Sequence, residues 1–309
     1  VQPSYAEVNR AVFEKTDIVN RLHYPRKPFL NAHPDVQVTR GAEGPMSIKY
    51  RDVELRSEVV VENGRKTITP LCETIDDLET LLNLPFRLDP PDAPSYEDDL
   101  AALGDRGIPC IMLPDPLEFA HAAFSETEFP VVCFTERERM KACLDELQRR
   151  TLQYYEAWLK TGMGDVYWIN GCEYIVPPIL GPKLFGYFAA EYDRQLVDLV
   201  RGYGKKSMIH CHGRIGTLLD DFKSIGMDSL HPLEAPPMGD CTLSQARAVL
   251  GPDTIFVGNI QYGDLFYGFT EEQIEQMTLN IIEESRKGPI ILAITASPMA
   301  ASPSPLMCA

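Results

Sequence analysis

Two histidines one residue apart, His210 and His212, stand at the end of a short apolar run at 207–211. Side chains alternate along a strand, so both imidazoles share one face and Cys211 takes the other. Two imidazoles on one face, joined by a carboxylate from a neighbouring strand end, would hold zinc or another divalent metal. The other reading of the pair is a single hydrogen-bonded structural histidine with no metal. Glu173, in a tight turn after Gly171 and before Pro177 and Pro178, is the third candidate ligand, and otherwise a helix cap or a solvated carboxylate. Glu234 and Asp240 bracket Pro236, Pro237 and Met238. Proline fixes such a loop, which suits a pair that delivers or takes a proton, or else a rigid surface loop. Asn259 and Gln261 share a face of an extended segment and would orient a polar substrate. Tyr167 and Trp168 are adjacent and face opposite ways, one into the core and one into a pocket; Tyr167 is the substrate-binding candidate. His23, His33 and His121 have no partner nearby in sequence and read as surface or core residues.

These residues need elements to hold them. From about residue 96 the sequence alternates short buried strands with helices. Strands are expected at 108–113, 166–169, 207–211, 229–231, 254–257 and 290–294. Helices are expected at 135–160, 183–203, 215–225, 243–250 and from Thr270 to about Ser285. This alternation argues for parallel β-structure with right-handed crossovers. No glycine-rich phosphate loop follows any strand, so a nucleotide-binding open sheet has no support. The alternative is a closed barrel, with two further strands in the first hundred residues and function at the C-terminal strand ends. Every residue named above falls at or near such an end, save the three isolated histidines. Residues 1–95 read as a wrapping segment: Asn63-Gly64 between β-rich runs signals a hairpin, Thr74 an N-capped helix, and 84–95 a proline- and aspartate-rich linker. Residues 96–309 make up the main part of the barrel, in one structural domain overall, expected to be incomplete at both ends.

Composition narrows the partners. The 309 residues carry a formal net charge of -16 and no run of basic residues, which argues against nucleic acid and anionic membranes. No apolar run is long enough to span a bilayer. The eight cysteines form no C-x-x-C pair and several sit in apolar runs, as expected of reduced thiols in a cytoplasmic protein. A homo-oligomer is compatible with all of this.

Taken in order, Gly171-Cys172-Glu173-Tyr174 with Pro177-Pro178, His210 to Gly213, His231-Pro232-Leu233-Glu234 and Gly258-Asn259-Ile260 resemble the uroporphyrinogen decarboxylase superfamily over about 96–298. The resemblance implies a (β/α)8 TIM barrel. Its decarboxylase branch carries an N-terminal arginine-rich segment and a Gly-His-Gly near the last strand, whereas here that strand runs into Thr295-Ala296-Ser297-Pro298. Its corrinoid- and coenzyme-M-linked methyltransferases hold zinc through H-x-C and a later cysteine. His210 matches the first of these ligands, His212 stands in place of the cysteine, and Ala296 or Ser297 occupies the region of the last. The resemblance therefore implies a metal-dependent methyltransferase. It would move a methyl group from a small methylated donor to a corrinoid on a separate protein, since no corrinoid-binding motif is present. Zinc held by His210, His212 and Glu173 would be the Lewis acid. A decarboxylase acting on a tetrapyrrole-like substrate and a non-catalytic barrel that serves as a binding subunit are the alternatives.

Overall fold

The computed structural model describes residues 18–22, 31–40, 45–62, 65–261 and 269–295. The first strand, β1 (Ile18–Leu22), is followed by an antiparallel sheet of β2 (Gln37–Arg40), β3 (Met46–Tyr50) and β4 (Val53–Arg56). A hairpin, β5 (Val59–Glu62) and β6 (Arg65–Ile68), follows, paired from Val59↔Ile68 to Glu62↔Arg65. Its Asn63-Gly64 turn lies outside the described residues, as do His23, Ala296 and Ser297.

The main sheet then accumulates one strand at a time: β7 (Gly107–Pro114), β8 (Val166–Asn170), β9 (Lys206–His210), β10 (Ser229–His231), β11 (Ile255–Ile260) and β12 (Ile290–Ile294). With β1 on the outer side of β7 it has seven strands, and every pair is parallel. Among the described residues β12 and β1 are not paired. Among the described residues the sheet is therefore an open run of seven, to which residues 1–100 contribute β1.

The connecting helices are α1 (Ile75–Leu82), α2 (Tyr96–Leu103), α3 (Pro116–His121), α4 (Glu128–Thr135), α5 (Arg137–Lys160), α6 (Glu191–Gly202), α7 (Leu219–Ile225), α8 (Leu243–Leu250) and α9 (Glu271–Glu284). Helices α1, α8 and α9 start at capping boxes, Thr74 with Asp77, Thr242 with Gln245 and Thr270 with Gln273. Each satisfies amide donors that a helix start leaves open. The helix expected at 135–160 is α5, and a separate α4 precedes it, broken off at the non-helical Glu136. The helix expected at 183–203 is interrupted by a π turn at Gly186–Ala190.

Two cores follow from strand alternation. Ile111, Leu113, Tyr167, Ile169, Ile209, Cys211, Leu230 and Phe256 point outward and join the apolar stripes of the helices in one large core. Cys110, Met112, Trp168, Met208 and Val257 point the other way and form a small separate core. One face covered by helices and one packed on itself is the arrangement of a barrel wall. The seven described cysteines are free and buried, and no helix among the described residues is long and apolar enough to cross a membrane.

Candidate functional site at the strand ends

Strand register decides which side chains meet. Pro114 pairs with Asn170, Asn170 with His210, and His210 with His231, so these four form a row across β7, β8, β9 and β10 at their C-terminal ends. The row continues the inward set that contains Met112, Trp168 and Met208. His210 is the hub. Its Nε2 is 3.2 Å from Glu173 Oε2, and its Nδ1 is 2.7 Å from Nδ1 of His231. The Glu173 contact is an ion-pair distance without a hydrogen bond at Oε2, and the donor at the His210–His231 contact is set by the tautomers. The rings of His210 and His231 stack with centroids 4.9 Å apart, and Trp168 lies 4.5 Å from His231 as their floor.

A second pair stands beside the first. His212 Nδ1 is 3.2 Å from Glu234 Oε1, and the other oxygen of Glu234 accepts the Gly213 amide at 2.8 Å. The ring of His212 meets that of His210 edge to face, with centroids 4.8 Å apart. Burial pushes the His212 pKa down, but the Glu234 hydrogen bond and the charges of Glu234 and Glu173 outweigh it, and the net shift is upward. An imidazole on a buried carboxylate favours its protonated form. The turn Cys172–Ile175 brings Glu173 in, starting from Gly171 at φ +141°, where a Cβ would lie 1.7 Å from Asp115 Oδ1. Glycine is required there by the close approach.

The strand-end cluster thus includes His210, His212, Glu173 and Glu234. Four other candidates have these places. Asp240 is exposed, and its Oδ1 accepts the Gly216 amide at 2.6 Å, at the start of the helical turn Gly216–Leu218. Asn259 spends its amide on the Leu233 carbonyl. Gln261 donates to Ala235 O at 2.8 Å and Pro236 O at 2.9 Å, so both amides brace the loop that carries Glu234, and the buried Oε1 of Gln261 has no hydrogen-bond partner. Tyr167 belongs to the outer core, its hydroxyl donating to Met163 O at 3.1 Å, and Trp168 is the inward residue of that pair.

The expected metal triad does not fit zinc as it stands. Nδ1 of His210 is taken by His231, Nδ1 of His212 is turned to Glu234, and among the described residues no group of three or more His, Cys, Asp or Glu could hold a metal ion.

His231 has a place in the cluster that the sequence reading did not give it. The signal was available, since it ends a strand in register with His210. Behind the row, Asp115 caps α3 through the Glu118 amide at 2.8 Å, and Asn170 donates to Glu118 Oε2 at 2.8 Å. Asp115 and Asp193 of α6 are fully buried, with Cys172 and each other as polar neighbours. Burial pushes both carboxyls well above the usual carboxylate range.

No curated protein sequence matches the chain. Among solved structures, a methyltransferase from Methanosarcina mazei aligns over 99% of this chain and 88% of its own, at a TM-score of 0.60 and 14% identity, a likeness of fold. A D-psicose 3-epimerase from Clostridium cellulolyticum H10 aligns over 70% of this chain and 84% of its own, at a TM-score of 0.36 and 11% identity, too low to carry an argument. The family model for uroporphyrinogen decarboxylase (URO-D) matches residues 127–297, more than half of the chain, and spans the strand ends that carry Glu173, His210, His212, His231 and Glu234. The chain belongs to the uroporphyrinogen decarboxylase (URO-D) family.

Proposed function

We propose that the chain is a methyltransferase that takes a methyl group from a small, neutral methylated donor and passes it to a corrinoid held on a separate protein. The observation that carries this reading is the pair of adjacent His–carboxylate contacts, His210–Glu173 and His212–Glu234. The shared fold with a methyltransferase supports it. A methylated heteroatom loses its methyl group with the bond electrons left on the heteroatom, which must then take up a proton. His212, with Nδ1 held by Glu234 and its pKa raised, delivers that proton from Nε2. His210, between Glu173 and His231, meets the His212 ring edge to face and keeps it in place. The methyl group passes as CH3+ to the cob(I)alamin-type acceptor, which supplies both electrons of the new bond.

The decarboxylase alternative requires cationic side chains for several carboxylates. The two ion pairs described in this cluster join carboxylates to histidines.

The test offers the purified protein methoxy-aromatic, methylthiol and methylamine donors with cob(I)alamin, and follows methylcobalamin by its absorbance. Methyl transfer is expected, lowered about 10²- to 10⁴-fold in His212→Ala. Release of CO2 from a tetrapyrrole carboxylate without methyl transfer would establish the decarboxylase. Tight binding of a corrinoid protein without turnover would establish a binding subunit. One equivalent of zinc, lost with activity in His210→Ala, would replace proton delivery by Lewis-acid catalysis.

A further inference from the structure

We propose that His121, the last residue of α3, is a positioning residue that holds Glu173 against His210. The inference rests on the strand-end cluster being the site. Its ring lies flat on that of Tyr174, with centroids 3.5 Å apart and planes 7° apart, and on its other side it meets Phe129 edge to face at 5.3 Å. Tyr174 is the residue after Glu173 in the turn Cys172–Ile175, and Glu173 reaches His210 Nε2 at 3.2 Å. The turn spans four residues; Cys172 and Ile175 anchor it in the core, while Glu173 and Tyr174 are only partly buried. Helix α3 adds contacts to it from outside. Asp115, which caps that helix, abuts Gly171; Glu118, in its first turn, accepts from Asn170 at 2.8 Å; and His121, at its last residue, clamps Tyr174. The first two contacts hold the end of β8, and the third bears on the residue that follows Glu173. Burial lowers the His121 pKa against the opposing charge of Glu126, in keeping with a neutral ring that serves by stacking.

The test compares His121→Phe, which keeps an aromatic ring at the stack, with His121→Ala, which removes it. The readout is the side-chain 15N shifts of His210 at one fixed pH, with Glu173→Gln as the reference for a broken His210–Glu173 contact. Expected are wild-type shifts in His121→Phe and shifts moved toward those of Glu173→Gln in His121→Ala, with both proteins folded by circular dichroism. Wild-type His210 shifts in His121→Ala would overturn the proposal. So would equal displacement in both variants, since a ring at this place would then not be what matters. If His121→Ala fails to fold, His121→Leu, apolar but unable to stack, takes its place with the same two outcomes. The readout needs no turnover, so absence of methyl transfer would reject the proposed reaction and leave this result standing.

Discussion

At the scale of single residues, the state of His212 is set mainly by Glu234, with the charge of Glu173 acting the same way. Together they put the His212 pKa above the ordinary histidine value of 6.5. Methyl transfer that needs the imidazolium should therefore hold on the acid side and fall as pH rises through that raised value. In Glu234→Gln the falling limb should move to lower pH, and a pH–rate profile measures both. The same shift has a sign in stability: a raised histidine pKa contributes fully below the unfolded value and is lost as pH rises through the folded one. His210, His212, Glu173 and Glu234 were legible in the sequence because alternation and the strand-end rule suffice to group them. Tyr167 and Trp168 were not separable in that way. Adjacent strand residues always face opposite sides, and only the register with Met112 and Met208 tells which side is inward. Asp240, Asn259 and Gln261 stand near the right strand ends, and each makes a side-chain bond to backbone that loop geometry sets and residue type does not show.

At the scale of elements, the strand–helix order was legible from β7 onward because buried strands and capped helices each carry local signals. The beginning was not, since β1 pairs with β7 across more than eighty residues of intervening chain and no local pattern announces it. The turn after β8 gives the sharpest test of element geometry. In Gly171→Ala the new Cβ would collide with the Asp115 carboxylate, and φ +141° is strained for any L side chain. A loss of about 2–4 kcal/mol is expected, read by urea denaturation. The loop 232–240 makes a milder case. Asn259→Ala leaves the buried Leu233 carbonyl without its amide donor, and should cost about 1–3 kcal/mol. Its amide hydrogen exchange should quicken in that loop while β7 and β8 keep their protection, as hydrogen-exchange mass spectrometry would show.

At the scale of the whole molecule, stability is squeezed from both sides of the pH scale. Glu146, hydrogen-bonded to Arg149 and Arg150, has its pKa lowered to about 2, so its contribution is lost only in strong acid. Asp115 and Asp193 act the other way. Burial raises both above the ordinary aspartate value of 3.8, so what they contribute is present below that value and lost as pH rises through the folded ones. Thermal stability should therefore decline from mildly acidic to mildly alkaline pH, together with the His212 contribution. Asp193→Asn cannot ionise and should flatten that decline, as melting curves at pH 5 and pH 8 would show; an unchanged slope would mean that the pair does not hold its proton.

The reciprocal of that linkage is a release of protons. The formal net charge of -16 counts every aspartate as ionised. The folded chain keeps protons on Asp115, Asp193 and His212 at pH values where the unfolded chain has given them up. Unfolding at neutral pH in a nearly unbuffered solution should thus acidify that solution, and a glass electrode would register the loss of the fold.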